Sequence, residues 1–256
     1  MILSEHLDGI ARITLNRPEK FNSFCREMAL ALQSALDAAA ADDSIRCVYL
    51  IGEGKAFCAG QDLAEAIDDN GIELSQIVSE HYNPIIQKMR SLPKPLVCAV
   101  NGVAAGAGAN IALAGDVVVA SDSATFIQAF SKIGLVPDSG GTFILPRLIG
   151  FQKASALMML GDKISAHEAE RMGMLYKVYA ADTFADESWK LALTLASMPT
   201  KGLALTKDLL NQSWSNTLDA QLVLEGTMQV KAADSFDYRE GVNAFLEKRP
   251  AVFIGQ

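Results

Sequence analysis

The sequence predicts an α/β fold with much parallel strand pairing, followed by a helical C-terminal region. Three observations carry this. Short apolar strands alternate with helix-compatible stretches through the first two-thirds of the chain. Half of the 256 residues are hydrophobic and a fifth are charged, which allows a sizeable core in one large domain. From about Phe151 the strand signals give way to segments with apolar residues at helical spacing.

Ile10–Leu15 alternates as a strand does, and Asn16–Lys20 closes it as a turn. Met28–Ala41 is rich in Ala and Leu at helical spacing. Cys47–Gly52 and Pro95–Val100 are short apolar runs of the kind that form buried strands. Between them, Leu63–Leu92 is helical apart from a polar insert at Asp68–Gly71. A helix is expected to begin at Ile111, followed by a strand at Val117–Ala120. Beyond Phe151, helices are expected at Ala154–Leu160, Ser165–Met172, Phe184–Ala196, Gly202–Trp214, Leu218–Ala232 and Tyr238–Lys248. Ser165 with Glu168 forms a capping-box signature. No repeat or Ser/Pro linker divides the chain, so the tail reads as an appendage.

The net charge of −8 argues against a general nucleic-acid surface, which needs a concentrated basic footprint. The longest apolar run, Leu96 to Ala120, is interrupted by Asn101, glycines, Asn110 and Asp116, so a membrane span is not expected. No basic leader precedes an apolar core at the N-terminus. Cys25, Cys47, Cys58 and Cys98 lack C-x-x-C spacing and His neighbours, so neither a zinc site nor a disulfide framework is expected. A reduced, cytoplasmic setting fits these features.

The chemistry-bearing motifs are two Gly/Ala turns and one acidic loop. Phe57-Cys-Ala-Gly-Gln-Asp62 and Asn101-Gly-Val-Ala-Ala-Gly-Ala-Gly-Ala-Asn110 can bring backbone N–H groups close to a substrate oxygen. Ser131–Thr142 carries a single carboxylate, Asp138, between Pro137 and Gly140. On residues alone, both turns could be packing connections and Asp138 a helix N-cap. They could equally be an oxyanion site facing an acid/base. No Gly-Lys-Ser/Thr or dinucleotide fingerprint follows the turns. Ser139 lacks a nucleophile-elbow pattern, so a hydrolytic triad is not expected. His6, His81 and His167 lie outside these motifs, with His81 expected at the surface; Asp62 is expected to brace its turn and Asp116 to tie a strand end to the core.

Taken together the motifs resemble the crotonase, or enoyl-CoA hydratase/isomerase, superfamily. They run from Leu15-Asn-Arg-Pro18 with Lys20 and Asn22, through Lys55–Asp62, Ala99–Gly102 and Gly106–Gly108, to Asp116, Gly140–Thr142 and Leu145–Arg147. They close with Arg239–Gly241, Ala244–Phe245 and Glu247–Arg249. Each motif is weak alone; their order and spacing are specific. The text around Gly106 and Ile133–Thr142 is especially similar to the ring-1,2-epoxyphenylacetyl-CoA isomerase branch of phenylacetate degradation.

The resemblance implies a crotonase-like spiral of ββα units over residues 1–200, with a helical oligomerisation region over 201–256. It implies a homotrimer or homohexamer and an acyl-CoA substrate, with no cofactor beyond the coenzyme A that the substrate carries. Ala59 and Ala107 match the two oxyanion donors. The positions where hydratases carry two glutamates hold Asn110 and Phe130, so simple hydration is not expected. Asp138 matches the acid of the isomerases, with Phe130, Leu135 and Phe143 as candidate shields. It would carry a proton from the γ to the α carbon of an enoyl thioester, or serve the ring-epoxide-to-oxepin rearrangement. Lys20, Ala56, Ala59, Gln61, Asp62, Leu63, Phe245 and Lys248 match coenzyme A contacts, Phe245 and Lys248 from a neighbouring subunit. A non-catalytic CoA-thioester-binding protein is the main alternative. Retention of Asp138 and both turns speaks against it. An RNA-binding role is weaker still, because the chain is acidic and lacks a basic helix.

Overall fold

In the computed structural model, which describes residues 1–67 and 71–256, the strands divide between two sheets. The expected insert at Asp68–Gly71 therefore lies outside the described residues except for Gly71. A hairpin of β1 (Ile2–Leu7) and β2 (Ile10–Leu15) precedes helix α1 (Arg26–Ala41). Three ββα units follow. β3 (Cys47–Gly52) and β4 (Ala56–Cys58) lead into α2 (Leu63–Ala66), α3 (Leu74–Gln76), a π-helical turn Ile77–Tyr82 and α4 (Asn83–Ser91). β5 (Leu96–Val100) and β6 (Val103–Ala105) lead into α5 (Ala107–Leu113). β7 (Val117–Ser121) and β8 (Thr125–Ile127) lead through a 3₁₀ turn to α6 (Gly141–Ile149) and α7 (Phe151–Leu160).

The first strand of each unit joins one sheet and the second joins the other. With β9 (Lys163–Ser165), α8 (Ala166–Met172) and β10 (Lys177–Tyr179), the sheets read β1-β2-β3-β5-β7-β10 and β4-β6-β8-β9. β2, β3, β5, β7 and β10 run parallel, as do β4, β6 and β8. Strands covered on both faces need no alternation, which is why Cys47–Gly52 and Leu96–Val100 are apolar throughout. The main core lies between the sheets and α1, α4 and α5, with Phe24, Met28, Leu50, Phe57 and Ile85 fully buried. A second core forms where α9 (Phe184–Ser197) covers Tyr49, Val97 and Val119.

The C-terminal half is less purely helical than expected, because β9 and β10 return to the two sheets. The expected boundary at residue 201 also falls inside a helix, α10 (Thr200–Ser213). That helix is tied to the core by the Lys207–Asp116 ion pair at 2.8 Å and by Asn211 with Arg90. Only α11 (Leu218–Ala233) and α12 (Phe236–Glu247) extend beyond it, leaving Leu218, Val223, Val230, Phe245 and Leu246 exposed. Among the described residues no helix is long and apolar enough to cross a membrane.

Candidate active site

The two Gly/Ala turns meet where β4 ends and α5 begins. β4 pairs with β6 in parallel, which sets the two following turns side by side. An added Cβ on Gly108 would lie 2.3 Å from the Cys58 carbonyl oxygen, so only glycine permits this approach. A Cβ on Gly60 would come within 3.5 Å of the Ala107 nitrogen, which brings the first turn directly onto the N-terminus of α5.

The free backbone donors at this junction are not the expected pair. Ala59 N–H donates to the Phe21 carbonyl at 2.9 Å, so it is committed to holding the Phe21–Phe24 loop. This corrects the expectation for Ala59. Two residues on, the Phe24–Gln61 bridge uses Gly60 O and Asp62 N–H, leaving the Gln61 N–H without an acceptor among the described residues. Ala107 N–H, in the first turn of α5, likewise has none. Gln61 and Ala107 thus form the available donor pair. The Gln61 side chain is clamped: Tyr82 donates to its Oε1 at 2.7 Å, and its Nε2 donates to Glu65 Oε2 at 2.8 Å.

Asp138 stands at the entrance to α6, joined to the second turn through Asn110. The Asn110 side-chain amide donates to the Asp138 carbonyl at 2.9 Å, and Gln128 Nε2 donates to Asn110 Oδ1 at 2.8 Å. Gly141 N–H donates to the same Asp138 carbonyl. The carboxylate does not cap α6, whose N-cap is Gly140 and receives no side-chain bond. Its Oδ1 instead accepts from Ser139 Oγ at 2.9 Å. Burial pushes the carboxyl above its ordinary value, against the hydrogen bond from Ser139, which favours ionisation.

Phe130, buried in the 3₁₀ turn, packs its ring over Gly106, beside Ala107. The two positions that could hold hydratase acids are therefore an amide locked in hydrogen bonds and an apolar wall. Leu135 and Phe143 are each exposed over two-fifths or more of their surface, and Phe143 packs with Arg147 and Trp214, so neither is the shield expected. A cavity of about 900 Å³ opens between α4, α6 and α10, lined by Ile86, Gly140, Phe143, Ile144, Leu205 and Trp214. It reaches within two residues of Asp138, but Asp138, Gln61 and Ala107 do not line it.

The expected coenzyme A contacts divide. Lys20, Ala59 and Leu63 are exposed near Gln61. Asp62 is not available: its Oδ2 pairs with Arg17 at 2.7 Å and its Oδ1 accepts from Ala64 N–H, capping α2. Burial opposes its ionisation, but those hydrogen bonds outweigh it and hold the carboxyl below its ordinary range. Ala56 is closed off inside β4, with its carbonyl taken by Asn22 and Asn101. Phe245 and Lys248 lie exposed at the end of α12, away from this cluster in sequence. His81 is fully buried, its Nε2 3.3 Å from Arg26 Nη1, which corrects the expected surface position.

Known proteins agree with this architecture. The family model for enoyl-CoA hydratase/isomerase matches residues 5–256. A 1,2-epoxyphenylacetyl-CoA isomerase from Escherichia coli (strain K12) is 49% identical over 258 residues, spanning 100% of this chain and 98% of that protein. A 2,3-dehydroadipyl-CoA hydratase from the same strain is 34% identical, spanning 95% and 94%. The crystal structure of an enoyl-CoA hydratase from Polaromonas sp. JS666 superposes with a TM-score of 0.92 at 36% identity, covering 98% of this chain and 99% of that one. Two interleaved sheets of ββα units, a donor pair where two Gly/Ala turns meet, and a match across the whole chain lead to one conclusion: the protein belongs to the enoyl-CoA hydratase/isomerase family.

Proposed function

We propose that the protein is a CoA-thioester isomerase in which Asp138 moves a proton between the α and γ carbons of an enolisable acyl group. The observation that carries this reading is the distribution of acids. Asp138 sits on the loop that Asn110 ties to the second turn, while Asn110 and Phe130 occupy the positions at which hydration would need acids. Neither an amide nor a phenyl ring can activate water at neutral pH.

In the proposed cycle the thioester oxygen accepts hydrogen bonds from the Gln61 and Ala107 N–H groups. The direction of proton transfer differs from the sequence-based expectation. In a β,γ-enoyl thioester the acidic hydrogen is on the α carbon, since its removal gives a dienolate whose charge rests on the thioester oxygen. Asp138 takes that proton, becomes neutral, and returns it at the γ carbon, leaving the α,β alkene. Each donor is worth about 3 kcal/mol of barrier where charge develops. Burial of Asp138 serves the step by strengthening the carboxylate as a base. No protein-bound cofactor enters this cycle; the coenzyme A is part of the substrate, with Lys20 and Leu63 as its nearest exposed contacts and a neighbouring subunit's α12 supplying the rest.

The similarity to the 1,2-epoxyphenylacetyl-CoA isomerase supports a ring epoxide as the acyl group, with the same donor pair holding its thioester. Turnover of three substrates tests the whole reading: a 3-enoyl-CoA, a 2-enoyl-CoA and the ring-epoxide phenylacetyl-CoA. Isomerisation of the first or last, with slow hydration of the second, is expected. Rapid hydration of the 2-enoyl-CoA with no isomerisation would overturn it.

A further inference from the structure

We propose that Ser139 is a positioning residue for Asp138: its hydroxyl pins one carboxylate oxygen so that the other is presented to the reacting carbon. This rests on the reading of Asp138 as the proton carrier.

Ser139 adopts a left-handed backbone conformation, with φ of +50°, which non-glycine residues rarely take. Such strain persists only where the surroundings enforce it, and it concentrates at functional sites. Here the enforcement is visible. The carbonyl before Ser139 is held by Asn110 and Gly141, and the residue after it is Gly140, itself left-handed. Ser139 is only 1% exposed, so its hydroxyl is shielded from water and directed onto Asp138 Oδ1 at 2.9 Å. The hydroxyl makes no capping bond to α6. The strained conformation therefore serves the carboxylate and not the helix.

A carboxylate with one oxygen fixed offers the other as a single base in a defined direction, which shortens the search for a reactive geometry. A hydrogen bond donated to the charged form also favours ionisation and opposes the effect of burial. The surrounding elements add few competing charges. Asn110 on α5 and Gln128 after β8 are neutral amides, and the first turn of α6 carries no acid. Tyr82 of the π-helical turn stays neutral, because burial first of all, and the nearby Asp138 charge among lesser causes, hold its phenol well above its ordinary value. Lys132 on the 3₁₀ turn and Arg147 on α6 are the cations of the adjoining elements, and Arg147 is engaged by Phe143.

The test compares Ser139→Gly and Ser139→Ala with the unmodified chain and Asp138→Asn, using 3-hexenoyl-CoA. Glycine tolerates the positive φ without the hydroxyl, so its variant isolates the hydrogen bond from the backbone. In both Ser139 variants kcat should fall about tenfold with KM changed by less than about threefold, and the acidic limb of kcat against pH should move up by about one unit. Ser139→Gly should melt no lower than the unmodified protein, because the strain is relieved. An unchanged limb and kcat in both variants, with Asp138→Asn inactive, would overturn this inference alone. Full turnover by Asp138→Asn would overturn it together with the reading beneath it.

Discussion

The side-chain amide of Asn110 donates to the backbone carbonyl of Asp138 at 2.9 Å, so the residue at a hydratase acid position instead holds the loop that carries the proposed acid. Gln128 completes the tie by donating to Asn110 Oδ1 at 2.8 Å. Both amides are buried. A polar group buried without a partner costs about 1–3 kcal/mol, so the chain Gln128–Asn110–Asp138 is held as a unit.

Asn110→Ala removes the middle of that chain, leaving Gln128 Nε2 without its partner and the Asp138 carbonyl with the Gly141 N–H alone. Stability should fall by about 1–3 kcal/mol in urea unfolding, and isomerase turnover should fall with it. Asn110→Glu should not create a hydratase, since the added carboxylate has no second acid opposite Phe130. Gain of crotonyl-CoA hydration by this variant would contradict the assignment of roles.

Asp116 anchors a second buried constellation. It pairs with Lys207 at 2.8 Å and Arg90 at 3.2 Å and accepts from Leu96 N–H, joining the start of β5 to α10. Burial pulls the Lys207 ammonium below its usual range even with Asp116 beside it. Asp116→Asn leaves that ammonium buried and uncompensated and should cost about 3–5 kcal/mol. Adding Lys207→Met should recover much of the loss in chemical denaturation, whereas additive effects would show that the pair is not coupled.

The exposed apolar side chains of α11 and α12 argue for assembly. Leu218, Val223, Val230, Phe245 and Leu246 are too many to leave in water on two adjacent helices, and Phe245 alone is 82% exposed. Light scattering at micromolar concentration should give the mass of a trimer or a hexamer, and Phe245→Ala should weaken binding of a CoA ligand in the assembled protein. A monomer under these conditions would contradict both.

Much of the fold was legible from residues alone, for reasons the structure makes plain. Cys47–Gly52 forms the strand its apolar run implies, and Ser165 caps α8 with Glu168 as their spacing implies. β4, β6, β8, β9 and β10 were not legible, because three residues carry no measurable alternation. α5 begins at Ala107 and not at Ile111, since its glycine-rich first turn is stabilised by contact with Cys58. For the site, the turns and Asp138 stood out, but the identity of the open N–H did not. Ala59 and Gln61 lie two apart in one turn, and the Phe21 carbonyl, distant in no obvious pattern, decides which is free. The Phe24–Gln61 bridge that separates the two is an isolated pairing of residues far apart in the sequence, which leaves no local signal to read.

The pH dependence of stability carries its own sign. Burial raises the Asp138 carboxyl above its ordinary 3.8, so the neutral form is favoured in the folded chain. That contribution is present below about pH 4 and is lost as pH rises through the folded value. Asp138→Asn, which stays neutral, should therefore melt with the unmodified protein at low pH and slightly above it at neutral pH. A lower melting temperature at neutral pH would favour a structural role for the carboxylate.

Turnover of 3-hexenoyl-CoA by Asp138→Asn, followed by the ultraviolet absorbance of the conjugated product, tests the central claim most directly. The amide preserves size and can still accept from Ser139, but it cannot carry a proton. A loss of about 10²-fold or more in kcat, with CoA-ligand binding retained, is the predicted result. Near-normal conversion by this variant would contradict the account.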